Sequence, residues 1–194
     1  MVIFQTGASG YIGGAVAEAL QRDGHTVRGL ARDDQSVAAL ESRGIQVVRG
    51  GLLDSAVLRQ AAQQAQAVVH TASTNGPDME AADRTAVEAM LEGLDGTNHA
   101  FVYTQGAWDY GDTGEAIADE SWPAHPLPYL SWRPEVAARV RRAAGRDVRS
   151  IVIRPANVYG EGRGLLTMLT KSARERGAAR YVGSGRNVWN MVHV

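Results

Sequence analysis

The sequence contains no cysteine. That absence excludes disulfides, thiolate nucleophiles, cysteine-held iron–sulfur clusters and cysteine-ligated zinc, while leaving the compartment open. No charge of one sign is in excess, since 20 basic and 21 acidic residues give a formal net charge of −1. A chain so balanced has no sequence-wide attraction to nucleic acid or to an anionic membrane, and neither is expected as a partner. The five histidines are scattered without zinc-ligand spacing, so no metal site is expected. No stretch approaches about 18 apolar residues, and residues 1–6 read as a buried strand rather than the start of a secretory leader. A soluble, cytoplasmic protein is the expectation. There is also no internal repeat and no low-complexity linker.

The 194 residues are 44% hydrophobic, enough to bury one core and to begin a second, smaller region. Short β-rich runs alternate with segments of helical period. Strands are predicted at 2–5, 25–30, 45–48, 67–71, 100–104 and 150–154. Between the first two, Ile12, Val16, Ala19 and Leu20 recur at helical spacing until Gly24. Asp34 can cap a helix carrying Val37 and Leu40, Asp54 or Ser55 opens another, and amphipathic helices are predicted at 79–94 and 136–144. The pattern predicts an α/β fold, a doubly wound parallel sheet of the Rossmann type with about six strands. Residues 108–128 are rich in Gly, Asp and Pro, and a loop of that length points to function.

The chemistry begins at Thr6-Gly7-Ala8-Ser9-Gly10-Tyr11-Ile12-Gly13, between the first strand and the first helix. In such a turn Gly7 lets the chain reverse, Gly10 lets backbone N–H groups approach a pyrophosphate, and Gly13 lets the helix pack closely on the sheet. The helix N-terminus then favours the anion. A ligand-free tight turn is the competing reading, and the strand–turn–helix–strand context favours a dinucleotide. About 20 residues on, an NAD-selective site places a carboxylate against the ribose hydroxyls. Here Ala31 and Arg32 occupy that place, and a guanidinium pairs well with a 2′-phosphate, so NADP is favoured with NAD as the alternative. Asp33 and Asp34 follow at once and can point at the ribose instead.

Four segments together resemble the short-chain dehydrogenase/reductase superfamily, in its extended and atypical branches of NAD(P)-dependent epimerase/dehydratase-like proteins. They are residues 6–13, Val69-His70-Thr71-Ala72-Ser73, Phe101-Val102-Tyr103-Thr104 leading to Tyr110-Gly111-Asp112, and Arg154-Pro155-Ala156-Asn157-Val158-Tyr159-Gly160. The resemblance implies that Ser9, Tyr11, Ile12, Leu52, Thr71, Ala72 and Ser73 line the cofactor together with the glycines. It also implies that Pro155, Asn157 and Val158 flank the nicotinamide and a small-molecule substrate. A homodimer through the helices at 79–94 and 136–144 is implied as well. Residues 180–194 resemble the family's Tyr-Val-Gly-x-Gly segment and following strand, after which relatives continue. The expected organisation is a nucleotide-binding domain over 1–155 and an incomplete substrate-binding region over 156–194, either truncated or completed by another subunit.

The family's catalysis uses a Ser or Thr after the fifth strand and a Tyr with a Lys four residues later, the cation lowering the phenol's pKa. Gly106 occupies the usual hydroxyl position, which leaves Thr104 as the substrate-orienting hydroxyl. Tyr129 is the acid/base candidate and Arg133 stands at the lysine's place, where it keeps the charge and can bond the ribose but differs in geometry. The competing reading makes Tyr129 a loop aromatic and Trp132-Arg133-Pro134 a helix start. His70 is read as a packed histidine. Asp109, Asp112, Glu115, Asp119 and Glu120 are read as solvated loop charge, and Trp108 and Trp122 as loop anchors or stacking platforms. Two function classes follow. One is an NAD(P)-dependent oxidoreductase or epimerase/dehydratase-like enzyme acting on a carbonyl or sugar-like alcohol, and the other is a non-catalytic NADP-binding sensor or interaction module.

Overall fold

The computed structural model describes residues 1–181 and 183–194, so Val182 of the Tyr-Val-Gly segment lies outside the described residues. Six strands form one parallel sheet: β1 (Val2–Thr6), β2 (Thr26–Ala31), β3 (Gln46–Arg49), β4 (Ala67–His70), β5 (Ala100–Thr104) and β6 (Arg149–Ile153). Their order is β3-β2-β1-β4-β5-β6. The register sets Ile3 between Val27 and Ala67, and Phe101 between Val68 and Ser150. The chain leaves β3 at one edge and re-enters on the far side of β1 as β4. That reversal opens a crevice at the C-terminal ends of β1 and β4, where doubly wound sheets take their ligands.

Strand alternation divides the core. Phe4, Val68 and Phe101 meet Leu58 of α3 (Ser55–Gln63), Ala86 and Met90 of α4 (Met79–Leu94), and Val136 and Val140 of α5 (Arg133–Arg142). Ile3, Ala67 and Val69 face the other way, against Val16 and Leu20 of α1 (Tyr11–Arg22). Ala17 of α1 and Leu40 of α2 (Asp34–Glu41) close that layer over Val27 and Ala31. Each large apolar side chain fully buried in this way contributes about 1.5–3 kcal/mol. The α3–α4–α5 side holds most of them. Gly93 sets the close approach of α4 to α3, because a Cβ there would lie 2.6 Å from the Arg59 carbonyl oxygen.

Asp33, not Asp34, caps α2. Its carboxylate accepts the Ser36 backbone N–H at 2.8 Å, and its own N–H donates to Ser36 Oγ at 3.2 Å. Of two adjacent aspartates, the one with a hydroxyl three residues on completes the capping box and takes the position. Asp34 is turned outward onto Arg49 at 2.6 Å.

The segment between β5 and α5 contains two 3-10 turns, Ala107–Tyr110 and Pro128–Leu130. The predicted helix at 136–144 begins earlier, at Arg133, with Pro134 harmless in its first turn. Beyond β6 come β7 (Asn157–Gly160), β8 (Arg163–Gly164), α6 (Leu165–Arg176) and β9 (Met191–His193). The three strands make a small sheet in the order β8-β7-β9. No residue of α6 is buried, and Met168 and Leu169 stand exposed on it. Among the described residues, no helix is long and apolar enough to cross a membrane, and no group of three or more metal-ligating side chains is present.

Candidate functional site

The glycine turn is built by exclusion of side chains. Gly7 has φ +75°, and a Cβ on it would lie 2.8 Å from both the Ala72 nitrogen and Thr71 Oγ1. Gly13 is tighter still, with a Cβ position 2.1 Å from the Gly7 carbonyl oxygen. Thr71 is fixed against this pair because its hydroxyl donates to the Thr6 carbonyl at 2.7 Å. The N-terminus of α1 has Gly10 at its cap, no capping side chain and no acidic residue in the first turn. Its first N–H groups are therefore free for an anion, and the helix dipole favours one there. The residues present fit a pyrophosphate.

Next to the turn, Ile12, Thr71, Ala72, Ser73, Thr104 and Arg133 share the wall of a cavity of about 110 Å³ with Asp83, Tyr103, Gln105 and Trp132. The structure thus brings together six residues singled out in the sequence. Tyr129 is not in that wall. It lies in the 3-10 turn before α5 and is 55% exposed. Ser131 and Trp132 carry right-handed helical angles from that turn into α5, so Tyr129 and Arg133 remain about one helical turn apart. Gly106 has extended backbone angles and open space around its Cα. Gln105 is anchored beside it, its amide donating to the Arg133 carbonyl at 2.8 Å. Arg32 lies just past the end of β2, exposed, with its Nε 3.2 Å from Asp33. Leu52, just past β3, packs partly buried against the core. Asn157 begins β7, two residues after Pro155.

Asp109 corrects the reading of the acidic loop, since its side chain is completely buried. The 3-10 turn after β5 folds it inward, and Arg154, 45 residues later in the chain, comes to 3.7 Å from Oδ2. The same guanidinium lies over the Tyr110 ring at 5.1 Å. Burial pushes the Asp109 carboxyl above its ordinary value, opposed by the positive charges of Arg133 and Arg154.

A second buried group escaped the sequence analysis. Thr6 Oγ1 is 2.6 Å from His70 Nδ1, His70 Nε2 is 3.0 Å from Asp83 Oδ1, and the Tyr103 hydroxyl donates to Asp83 Oδ2 at 2.5 Å. The His70 and Tyr103 rings stack at 5.7 Å. Burial raises the Tyr103 phenol well above its ordinary value, and the charge of Asp83 adds to the effect. These four side chains come from β1, β4, α4 and β5 and support the cavity floor from below. The available signal was an aspartate on the apolar stripe of α4, between Met79 and Met90.

The model of the NAD dependent epimerase/dehydratase family matches residues 3–194. The chain belongs to that family. Among its relatives is the uncharacterized protein YLL056C of Saccharomyces cerevisiae, 32% identical over all of this chain and 66% of its own length. Another, 25% identical over all of this chain and 61% of its own length, is a Stigmatella aurantiaca ketoreductase of 4-hydroxy-2-methyl-3-oxo-4-farnesyl-3,4-dihydroquinoline-1-oxide. The chain thus spans a little under two thirds of the curated relatives it matches. The fold is shared with the UDP-glucose 4-epimerase of Thermus thermophilus, solved in complex with NAD. There the TM-score is 0.79 at 20% identity, covering 100% of this chain and 70% of the other.

Proposed function

We propose that the chain is the cofactor-holding part of an NADP-dependent oxidoreductase that interconverts a carbonyl and an alcohol. The observation that carries the reading is the glycine cradle, with its uncapped α1 N-terminus opening beside the cavity lined by Thr104 and Arg133. Bound there, NADPH would supply hydride to the carbonyl carbon and leave as NADP⁺. The Thr104 hydroxyl orients the carbonyl oxygen, and Tyr129 delivers the proton that completes the alcohol and recovers it from solvent. Arg133 brings a fixed positive charge to the cavity wall, in place of an ammonium. The ketoreductase among the relatives supports the reaction class. Replacing Tyr129 by phenylalanine is expected to lower kcat at least 100-fold with NADPH affinity unchanged, the usual range for removing a proton donor. Turnover equal to the wild type would remove Tyr129 from the chemistry. Tight NADPH binding with no turnover over aldehydes, ketones and nucleotide sugars would instead favour a nucleotide-binding sensor, to which Gly106 and the exposed Tyr129 already lean.

The preference for NADP rests on where the nearby carboxylates go. Asp33 is committed to capping α2, and its hydrogen bonds from the Ser36 backbone and hydroxyl, with the neighbouring Arg32, hold it below its ordinary value. Asp34 is paired with Arg49. Asp33 is not left to take ribose hydroxyls, while Asp34 and Arg32 are each held only by an exposed ion pair, a weak tie in water. Arg32→Asp should weaken NADPH by about 30-fold or more, a loss of about 2 kcal/mol or more, and NADH by less than about threefold. Equal losses in a fluorescence titration of the two cofactors would exclude a 2′-phosphate role.

A further inference from the structure

Two tryptophans from distant parts of the chain meet just past the end of β5, the strand that carries Thr104 to the cavity wall. Trp108 lies in the 3-10 turn leaving β5, four residues beyond Thr104, and Trp189 lies two residues before β9. Their ring centroids are 5.3 Å apart and their planes cross at 67°. Hydrogen bonds hold the arrangement. Trp108 Nε1–H donates to Asn157 Oδ1 at 3.2 Å, and the Asn157 backbone N–H and side-chain amide donate to the Asn190 carbonyl at 3.1 and 3.3 Å. The residue after Trp189 is thereby tied to the first residue of β7. A further bond from the Ala107 N–H to the Pro155 carbonyl, at 2.9 Å, joins the Trp108 turn to the loop leading into β7.

Packing alone does not account for the pair. This fold buries an indole where its core needs one, as at Trp132, yet Trp108 and Trp189 remain 38% and 47% exposed. Two fixed rings crossing at a steep angle leave a corner. A flat π-system placed in it stacks on one ring and meets the edge of the other, which are the two favoured aromatic geometries. Trp108, Trp189 and Asn157 carry no charge, and the carboxamide oxygen of Asn157 is already engaged by Trp108. A diphosphate would find no cation among these side chains, whereas a planar uncharged ring finds its full complement of contacts.

We propose that Trp108 and Trp189 dock a flat aromatic or conjugated carbonyl compound, directing its carbonyl to the cavity wall at Thr104 and Arg133. The proposal names the substrate class of the site and rests on the oxidoreductase reading above. The probe is 2-naphthaldehyde, with cyclohexanecarbaldehyde and UDP-glucose as comparators, followed by quenching of tryptophan fluorescence and by NADPH oxidation. Wild-type protein is expected to bind and reduce 2-naphthaldehyde in preference to both comparators. Trp108→Leu and Trp189→Leu should each weaken its binding and raise its KM about tenfold, the size of one aromatic contact, with NADPH affinity within about twofold of wild type. Trp108→Phe keeps a ring and should recover most of the loss. If NADPH binds but both leucine variants take 2-naphthaldehyde as the wild type does, or if UDP-glucose is the preferred compound, the docking corner is wrong and the cofactor reading stands. If neither NADPH nor NADH binds, the oxidoreductase reading fails and this inference fails with it.

Discussion

Gly13→Ala is expected to abolish measurable cofactor binding, with a loss of at least about 100-fold in NADPH affinity, which corresponds to about 3 kcal/mol. The added methyl would sit 2.1 Å from the Gly7 carbonyl oxygen, 2.6 Å from the Gly7 carbonyl carbon and 2.6 Å from Thr71 Oγ1. Two of those atoms are backbone, and the third is tied to the Thr6 carbonyl. None can move without taking the turn with it. The helix must back away from the sheet, which withdraws the N–H groups of α1 from the anion and adds an overpacking cost of about 1–3 kcal/mol to folding. Two other glycines, one in the turn and one far from it, grade the effect. A Cβ on Gly10 lies 3.1 Å from the Gly7 oxygen, so Gly10→Ala asks for a shift of a few tenths of an ångström and should cost binding less. Gly145→Ala meets open space and should change neither binding nor stability. Calorimetric titration of the three variants with NADPH, with circular dichroism to report folding, decides the point. A folded Gly13→Ala protein that binds as tightly as the wild type would show that the turn is not the cofactor cradle.

The same turn explains why so much of the fold was legible in the sequence. Its glycines fall at fixed offsets between a strand and a helix, and each of the next four strands ends a segment whose apolar residues keep a single period. Local patterns set those elements, and tertiary structure did not override them. What the sequence left obscure depends on residues far apart in the chain. Asp109 reads as one more loop acid until Arg154 is brought to its side. The helix α6 has Leu165, Leu166, Met168 and Leu169 crowded into its first five residues, and it buries none of its positions, so no core-facing stripe marks it. Trp108 and Trp189 are single aromatics in polar surroundings, and only the pairing of β7 with β9 sets them edge to face. The cap of α2 was misplaced by one residue because two aspartates stand side by side, and the deciding Ser36 lies three residues beyond the first.

Asp83 is where that non-local architecture should be most costly to disturb. Its two carboxylate oxygens each take a buried donor, the Tyr103 hydroxyl on Oδ2 and His70 on Oδ1. The remaining bonds run in one direction. The Ala72 N–H donates to Thr6 Oγ1 at 3.4 Å, and the Thr6 hydroxyl turns to His70 Nδ1, which leaves the His70 Nε2–H for Asp83. Asp83→Ala removes both acceptors at once and strands two donors away from water. At about 1–3 kcal/mol for each stranded group, the expected loss of stability is about 3–5 kcal/mol. Tyr103→Phe leaves one carboxylate oxygen without its donor and should cost less, about 1–2 kcal/mol. Asp83→Asn tests direction rather than volume. Its amide can accept from only one of the two groups and presents N–H to the other, so it should fall between the alanine variant and the wild type, since a neighbouring group must turn to meet it. Urea unfolding with unchanged m-values measures the series. Because the chain of bonds ends at the Ala72 N–H, in the wall of the cofactor cavity, the same variants should also loosen NADPH binding by a few fold. An Asp83→Ala protein with a loss below about 1 kcal/mol, the low end for a single stranded donor, would mean that water reaches these groups and that the network does not hold the cavity floor.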